Sequence, residues 1–302
     1  MALENFVPEL WAAEILTNIN KNLVYAQSGV TNRNYEGEIR QAGDTVHINS
    51  VGRVTVRDYD PATGLSDPDT LDDYTRALLI DQQKEFNFMV DDINRVQDRP
   101  DVMSEATREA AYSLRDALDQ FVAGLHTDAG RTIGSDASPQ TVVAANPGTD
   151  ETTAYDVLVD LSTLLSEKTT DSNSIEQGGV PEDGRFVVVD PAFHGLLRKD
   201  ERFVHATAQG DDVIRNGVVG EAAGFRVLKS NNVPSVTGDG TSTFDNKKII
   251  AGHPMAWSVA EQITKTEAYR PDKFFADALR GLHVYGGKVV RPYTLAVLSY
   301  TT

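Results

Sequence analysis

Six histidines, at 47, 126, 194, 205, 253 and 283, and no cysteine set the range of metal and nucleophile chemistry open to this chain. No pair of them has the i, i+4 spacing of an H-E-x-x-H helix, and without thiolates a zinc site would need ligands from distant segments. His47 and His283 lie in alternating strand-type runs, where a packed or hydrogen-bonded ring is the default reading. His194 follows Phe193 in a short helix and reads as structural. Gly238-Asp239-Gly240 is half a dinucleotide fingerprint; it lacks the third glycine and lies among Ser and Thr, which makes it a surface turn. There is no G-x-x-x-x-G-K-[ST] phosphate loop and no G-x-S-x-G nucleophile elbow.

Carboxylates are the abundant chemistry. The chain has 45 Asp and Glu against 28 Lys and Arg over 302 residues, a net charge of −17. Such a surface is repelled by nucleic-acid phosphate and by anionic lipid. The segment Asp58–Asp73 holds six aspartates, and Asp58 and Asp60 begin like a calcium loop. Pro61 and Ala62 then break the ligand spacing, and the twelfth position is Asp69 where a bidentate Glu is required. No catalytic, cofactor-binding or metal residue is assigned, and no cofactor is expected. A soluble enzyme built on scattered carboxylates is retained as an alternative. The N-terminus has Glu4, Glu9 and Glu14 in its apolar stretch and does not read as a signal peptide, and no apolar run approaches the ~20 residues of a membrane span.

The element that organises these residues is a helix expected from Asp98 to Gly130, with Pro100 in its first turn. Met103, Ala106, Ala110, Leu114, Ala117, Phe121 and Leu125 mark its apolar stripe, and Glu105, Arg108, Glu109, Arg115 and Asp119 its charged face. A second amphipathic helix is expected over 8–23, its stripe set by Trp11, Ile15, Ile19 and Leu23; it can dock on another subunit or on its own body. The polar stretch that follows, SGVTNRNYEGEIRQAGD, reads as an arm or linker. Residues 45–90 read as a long two-stranded excursion with an acidic tip, inward positions including Val46, Ile48, Leu78, Ile80, Phe86 and Phe88. So long a ribbon is marginal alone and needs a surface to lie on.

Further on, residues 131–150 read as a boundary between domains and 152–167 as a helix. RFVVVDP is a strand buried on both faces, and Pro191 opens another helix. The last third alternates strands and turns around an apolar, helical-looking PDKFFADALRG, and LHVYGGKVV and TLAVLSY are expected to pair across the Pro292 turn.

These stretches resemble a known family. RFVVVDPAFHGLLRKDERF, then DVIRNGVVGEAAGFRVLKSNNVP, GLHVYGGKVVRPYTLAVL, and TVHINSVGRVTVRDY with LLIDQQKEFNFMVDDI are similar to tailed-phage major capsid proteins of the Hong Kong 97 type, within the P22-like coat branch. The resemblance implies an α+β capsid fold. Residues 1–44 would be an N-terminal arm and 45–90 an extended β-hairpin loop; 91–149 and 263–302 would form a peripheral domain with a long spine helix, and 150–262 an axial domain. It implies a structural, non-enzymatic subunit whose copies build hexamers and pentamers of an icosahedral head. That head would enclose double-stranded DNA without sequence-specific binding, helped by a scaffolding protein and a portal, with no membrane. Assembly would take place in the host cytoplasm and the product would be the virion capsid. An encapsulin-like nanocompartment shell shares the fold and stays open. No lysine and asparagine are matched for a covalent link, so a shell held without cross-links is expected. The expected subunit-interface residues are Trp11 and Ile15, with Arg53 and Arg57 pairing with Asp60, Asp72 and Asp73 of a neighbouring copy.

Overall fold

The computed structural model describes residues 23–34, 45–51, 58–59, 61, 73–91, 102–143, 152–170, 176–200, 220–236, 246–273 and 276–301. The alternating run after Thr45 forms strand β1 (Thr45–Val51), which pairs antiparallel with β2 (Asp73–Leu79), from Thr45↔Leu79 to Val51↔Asp73. At Asp81 the second run divides, and β3 (Gln82–Asp91) joins a different sheet.

Helix α1 (Val102–Gly124) then tightens into a 3-10 turn over Leu125–Asp128 and stops short of the expected Gly130. Ala129 is extended, and the N–H of Gly130 donates to the Pro292 carbonyl (2.9 Å), which draws the chain off the helix axis. Residues 98–101, including Pro100, lie outside the described residues. The buried stripe of α1 is Thr107, Ala111, Leu114, Leu118 and Val122, about one residue round from the expected face. The bulkier Leu and Val side chains take the deep face, because burying them removes more apolar surface than burying alanines does. Phe121 is half-buried, edge-on to Tyr285 at 5.2 Å. Asp119, expected on the charged face, is buried.

Short strands β4 (Arg131–Ile133) and β5 (Gln140–Thr141) lead to helix α2 (Ala154–Ser166). A capping box opens α2, Thr153 and Asp156 each satisfying the other's backbone N–H. A small hairpin pairs β6 (Thr169–Thr170) with β7 (Glu176–Gln177). β8 (Phe186–Val189) is buried at every position, and α3 (Pro191–Lys199) follows under an Asp190 N-cap. β9 (Glu221–Ala222) turns into β10 (Phe225–Lys229) through Ala223 and Gly224, both at positive φ (50° and 80°), where only the second position is free of strain. Then come β11 (Ser235–Val236) and β12 (Asn246–Gly252), a 3-10 turn at Pro254–Ala256, β13 (Trp257–Tyr269), β14 (Ala276–Val289), a second 3-10 turn at Pro292–Thr294, and β15 (Leu295–Thr301).

The larger sheet has the order β4-β15-β12-β8-β10-β9, with β5 beside β15 and β11 beside β12. Period-two alternation sends its side chains to two cores. Val187, Val189, Ile249, Ala251, Leu298 and Tyr300 meet α2 and α3, through residues such as Leu158, Leu161, Phe193 and Leu197. Phe186, Val188, Ile250, Leu295 and Val297 meet α1 and residues 23–30 on the opposite face. A sheet covered on both faces explains why β8 reads as a continuous apolar run. Residues 131–143, expected as a boundary, supply the β4 edge of this sheet and the buried Val142.

The smaller sheet is β13-β14-β3. Two sequence expectations fail here. ADALRG is not helical but the start of β14, held between β13 and β3, with Ala276 and Ala278 buried; pairing on both sides overrides its propensity. β14 and β15 do not pair across Pro292 either. β15 is buried over six of its seven positions, so it needs neighbours on both edges and cover on both faces, which only the larger sheet supplies. Two residues of the expected linker are also core: Val30 and Thr31 are fully buried.

Candidate subunit interface

The histidines are dispersed. His47 faces solvent in β1, against the packed or bonded reading. His126 sits beside the Ala123 carbonyl (3.0 Å) and His253 accepts from the Met255 N–H (3.3 Å). Burial lowers the pKa of His126, His194 and His253, with Lys229 and Arg198 adding to the effect at His194. Among the described residues no three His, Asp or Glu side chains are placed to hold a metal ion, and no helix is long and apolar enough to cross a membrane. Asp60 and Asp69 of the acidic loop lie outside them. A cleft of about 450 Å³ is lined by Gly29, Glu182, Asp183, Glu221, Arg226 and Pro254, whose charged members are exposed. Arg185, a buried member of the same lining, directs its guanidinium to the carbonyls of Val180, Pro181 and Ser162 and to the Ser162 and Ser166 hydroxyls. It ties α2 to the loop before β8.

The β1–β2 ribbon is the surface that most needs a partner. It pairs as a two-stranded sheet, and its root packs Ile48, Leu78 and Ile80 against Ala260 and Val284. Gly286 makes that seat possible, because a Cβ there would collide with the Leu79 carbonyl and lie 2.8 Å from Ile80 Cα. Arg76 donates to the Val289 carbonyl (3.2 Å) and pins β2 to β14. On the face opposite the root contacts, Ala77 and His47 are exposed and Leu79 is 54% exposed; Tyr59, beyond β1, is 65% exposed. Of the interface residues expected from sequence, Asp73 opens β2 opposite Val51. Trp11, Ile15, Arg53, Arg57, Asp60 and Asp72 fall outside the described residues.

A polar network unseen in sequence holds residues 23–34 on the body as a strap. Asp119 of α1 accepts the N–H groups of Val24 (3.0 Å) and Ala26 (3.3 Å). Burial raises the Asp119 pKa, against the lowering effect of those donors. The Trp257 indole N–H donates to the Val30 carbonyl (2.6 Å), and Asn32 bridges parallel to Ser258. At the strap's end Arg33 pairs with Glu261, whose other oxygen meets His283 Nε2 at 3.2 Å. Glu261 and His283 are buried, and the His283 Nδ1 has no hydrogen-bond partner. Burial alone would raise the Glu261 pKa; the His283 hydrogen bond and the Arg33 charge outweigh it and hold the carboxyl below its usual range. Alternation along β13 gives no hint that two charged side chains meet on its inner face.

No curated protein matches the chain. A chain of Mycobacterium phage Che8 is similar over 98% of both chains, with 31% identity and a TM-score of 0.68. The capsid of Ralstonia phage GP4 shares 15% identity over 93% of this chain and 89% of that one, with a TM-score of 0.62. The capsid of Cyanophage P-SCSP1u shares 20% over 87% and 85%, with a TM-score of 0.61. These two show the fold, which is the expected α+β capsid fold. A phage capsid protein family model matches residues 70–298, from the returning strand of the ribbon to the closing strand of the large sheet. The chain belongs to the phage capsid protein family and is a major capsid protein, a subunit of the head shell.

Proposed function

We propose that many copies of this subunit close into an icosahedral head of hexamers and pentamers, holding double-stranded DNA without reading its sequence, and that the subunit has no catalytic role. The observation that carries this reading is the β1–β2 ribbon. It has two strands, a rooted base and exposed apolar side chains, and a ribbon of that kind is marginal unless it lies on another surface. A neighbouring copy supplies that surface. Within the Hong Kong 97 type and its P22-like branch, residues 1–44 act as the arm and 45–90 as the extended loop. Residues 91–149 with 263–302 form the peripheral domain and 150–262 the axial domain, β15 carrying the peripheral segment into the larger sheet.

The net charge of −17 suits a container that must not grip phosphate, because DNA has to slide during filling and release. Assembly takes place in the host cytoplasm with a separate scaffolding protein and a portal, and the finished shell is held without cross-links. Negative-stain imaging of the purified protein should show closed, megadalton particles. Monomers or dimers under every assembly condition would overturn the reading. Particles that co-purify with an enzyme cargo, and never with DNA and a portal, would move it to a nanocompartment.

A further inference from the structure

The strap and the ribbon share one support. Residues 23–34 lie along β13, with Asn32 N–H donating to the Trp257 carbonyl (3.1 Å) and Val259 N–H to the Asn32 carbonyl (3.0 Å). Ten residues after Asn34 the chain re-enters as β1, and the root of the ribbon rests on Ala260 of the same β13 and on Val284 of β14. Glu261 and His283 follow Ala260 and precede Val284 along their strands and, by alternation, point to the opposite face, the one that Val259 and Tyr285 share with the strap. The strap therefore ends at a buried charge on one face of the sheet whose other face seats the ribbon.

We propose that Arg33, Glu261 and His283 form a latch that closes residues 23–34 over β13 and opens when Glu261 loses its charge, so that the protonation of one buried carboxylate sets whether the strap is held on the sheet that also seats the ribbon. Three observations support it. Arg33 reaches Glu261 across 228 residues of sequence, and the same arginine bonds the Ala26 carbonyl (3.1 Å), so one side chain both ties the strap to the body and braces it internally. Glu261 is buried and ionic on one side only: Arg33 comes from the strap, and His283 from β14. Its register partner is Tyr285, and Lys84 of β3, opposite His283, is exposed. The orphaned His283 Nδ1 leaves that ring bonded to the protein only through Glu261, so the imidazole has no second hydrogen-bond anchor if the carboxylate is neutralised.

A carboxyl held below its ordinary range stabilises the closed strap above the ordinary Glu pKa of about 4.3 and loses that effect as pH falls through its folded value. The neutral acid keeps a hydrogen bond but no longer compensates the buried end of Arg33.

The chain reports on itself. It has two tryptophans, Trp11 and Trp257, so Trp11→Phe leaves one emitter, whose indole bonds the strap. In that full-length background Glu261→Gln should shift Trp257 emission to the red and raise its acrylamide quenching several-fold, with amide exchange at Asn32 and Val259 at least ten times faster. Arg33→Met should do the same, and the double variant should add nothing further. Acidification should reproduce the change at Asn32 and Val259 in the parent, whereas in Glu261→Gln those two amides should already exchange fast and respond no further; loosening at Val24 and Ala26, which Asp119 holds, should follow acid in both. Because the chain has no cysteine, an Asn32→Cys, Ser258→Cys disulfide can be placed on the bridged pair, and oxidation should restore slow exchange to Glu261→Gln. Unchanged quenching in both single variants, or additive effects in the double variant, would overturn the latch. If Glu261→Gln fails to fold, Arg33→Met alone decides: quenching equal to the parent rejects the proposal.

Discussion

Asp190 concentrates several functions in one carboxylate. Its oxygens accept the N–H groups of Ala192 and Phe193 (3.2 Å each), receive Lys247 Nζ at 2.6 Å, and take the hydroxyl of buried Tyr300. Burial pushes its pKa up, but the Lys247 and Tyr300 hydrogen bonds and the backbone donors pull it below the ordinary range. Asp190→Ala should cost about 3 kcal/mol in chemical denaturation, the sum of a lost cap (~1 kcal/mol) and an orphaned hydroxyl (~1–3 kcal/mol). Asp190→Asn keeps an acceptor at the cap and should cost less. The wild-type contribution is full above an Asp pKa of about 3.9 and is lost as pH falls through the lower folded value. The Asn variant should therefore show a shallower loss of stability on the acid side. The helix start was legible in sequence, since Asp before Pro is a cap signature, whereas Lys247 and Tyr300 reach Asp190 from strands 57 and 110 residues away.

At the scale of elements, periodicity located α1, α2, β8 and the ribbon but not their neighbours. The stripe on α1 was misplaced by a residue because alanines at 106, 110 and 117 satisfy the spacing without fixing which face goes deepest. ADALRG read as helical because its residues favour helix, and only pairing with β13 and β3 makes it strand. The same sheet shows what glycines do there. Phe86 lies over Gly281, its register partner, where a Cβ would run into the ring. Gly286 has no space at all beside the backbone at Leu79 and Ile80. Gly286→Ala should therefore displace β2 from β14 and cost about 1–3 kcal/mol, the range for forcing atoms into a packed site. Thermal denaturation reads the loss. An unchanged midpoint would mean that the ribbon's root can shift without penalty.

For the whole molecule, the fold class and shell role were readable because many weak motifs recurred in one order. Pairing between copies leaves no period in a single chain, so the expected interface residues stand as a proposal. Arg53 and Arg57 carry the charge-pairing part of that proposal. Replacing both by Glu should abolish closed particles by electron microscopy while circular dichroism of the subunit is unchanged. Each exposed pair is worth only about 0–1 kcal/mol, so the effect depends on repetition around a ring. Normal particles from the variant would reject the pairing. The position of β15 also governs when folding can finish. It lies between β12 and β4 and contributes to both cores, and its partners in β4 lie more than 160 residues earlier. Contacts that distant in sequence form slowly, and on a ribosome they cannot form until residues 295–301 have emerged. Nascent chains thus keep an open, incomplete sheet until synthesis has passed that strand, which delays the appearance of a docking-competent subunit until translation of the fold is complete.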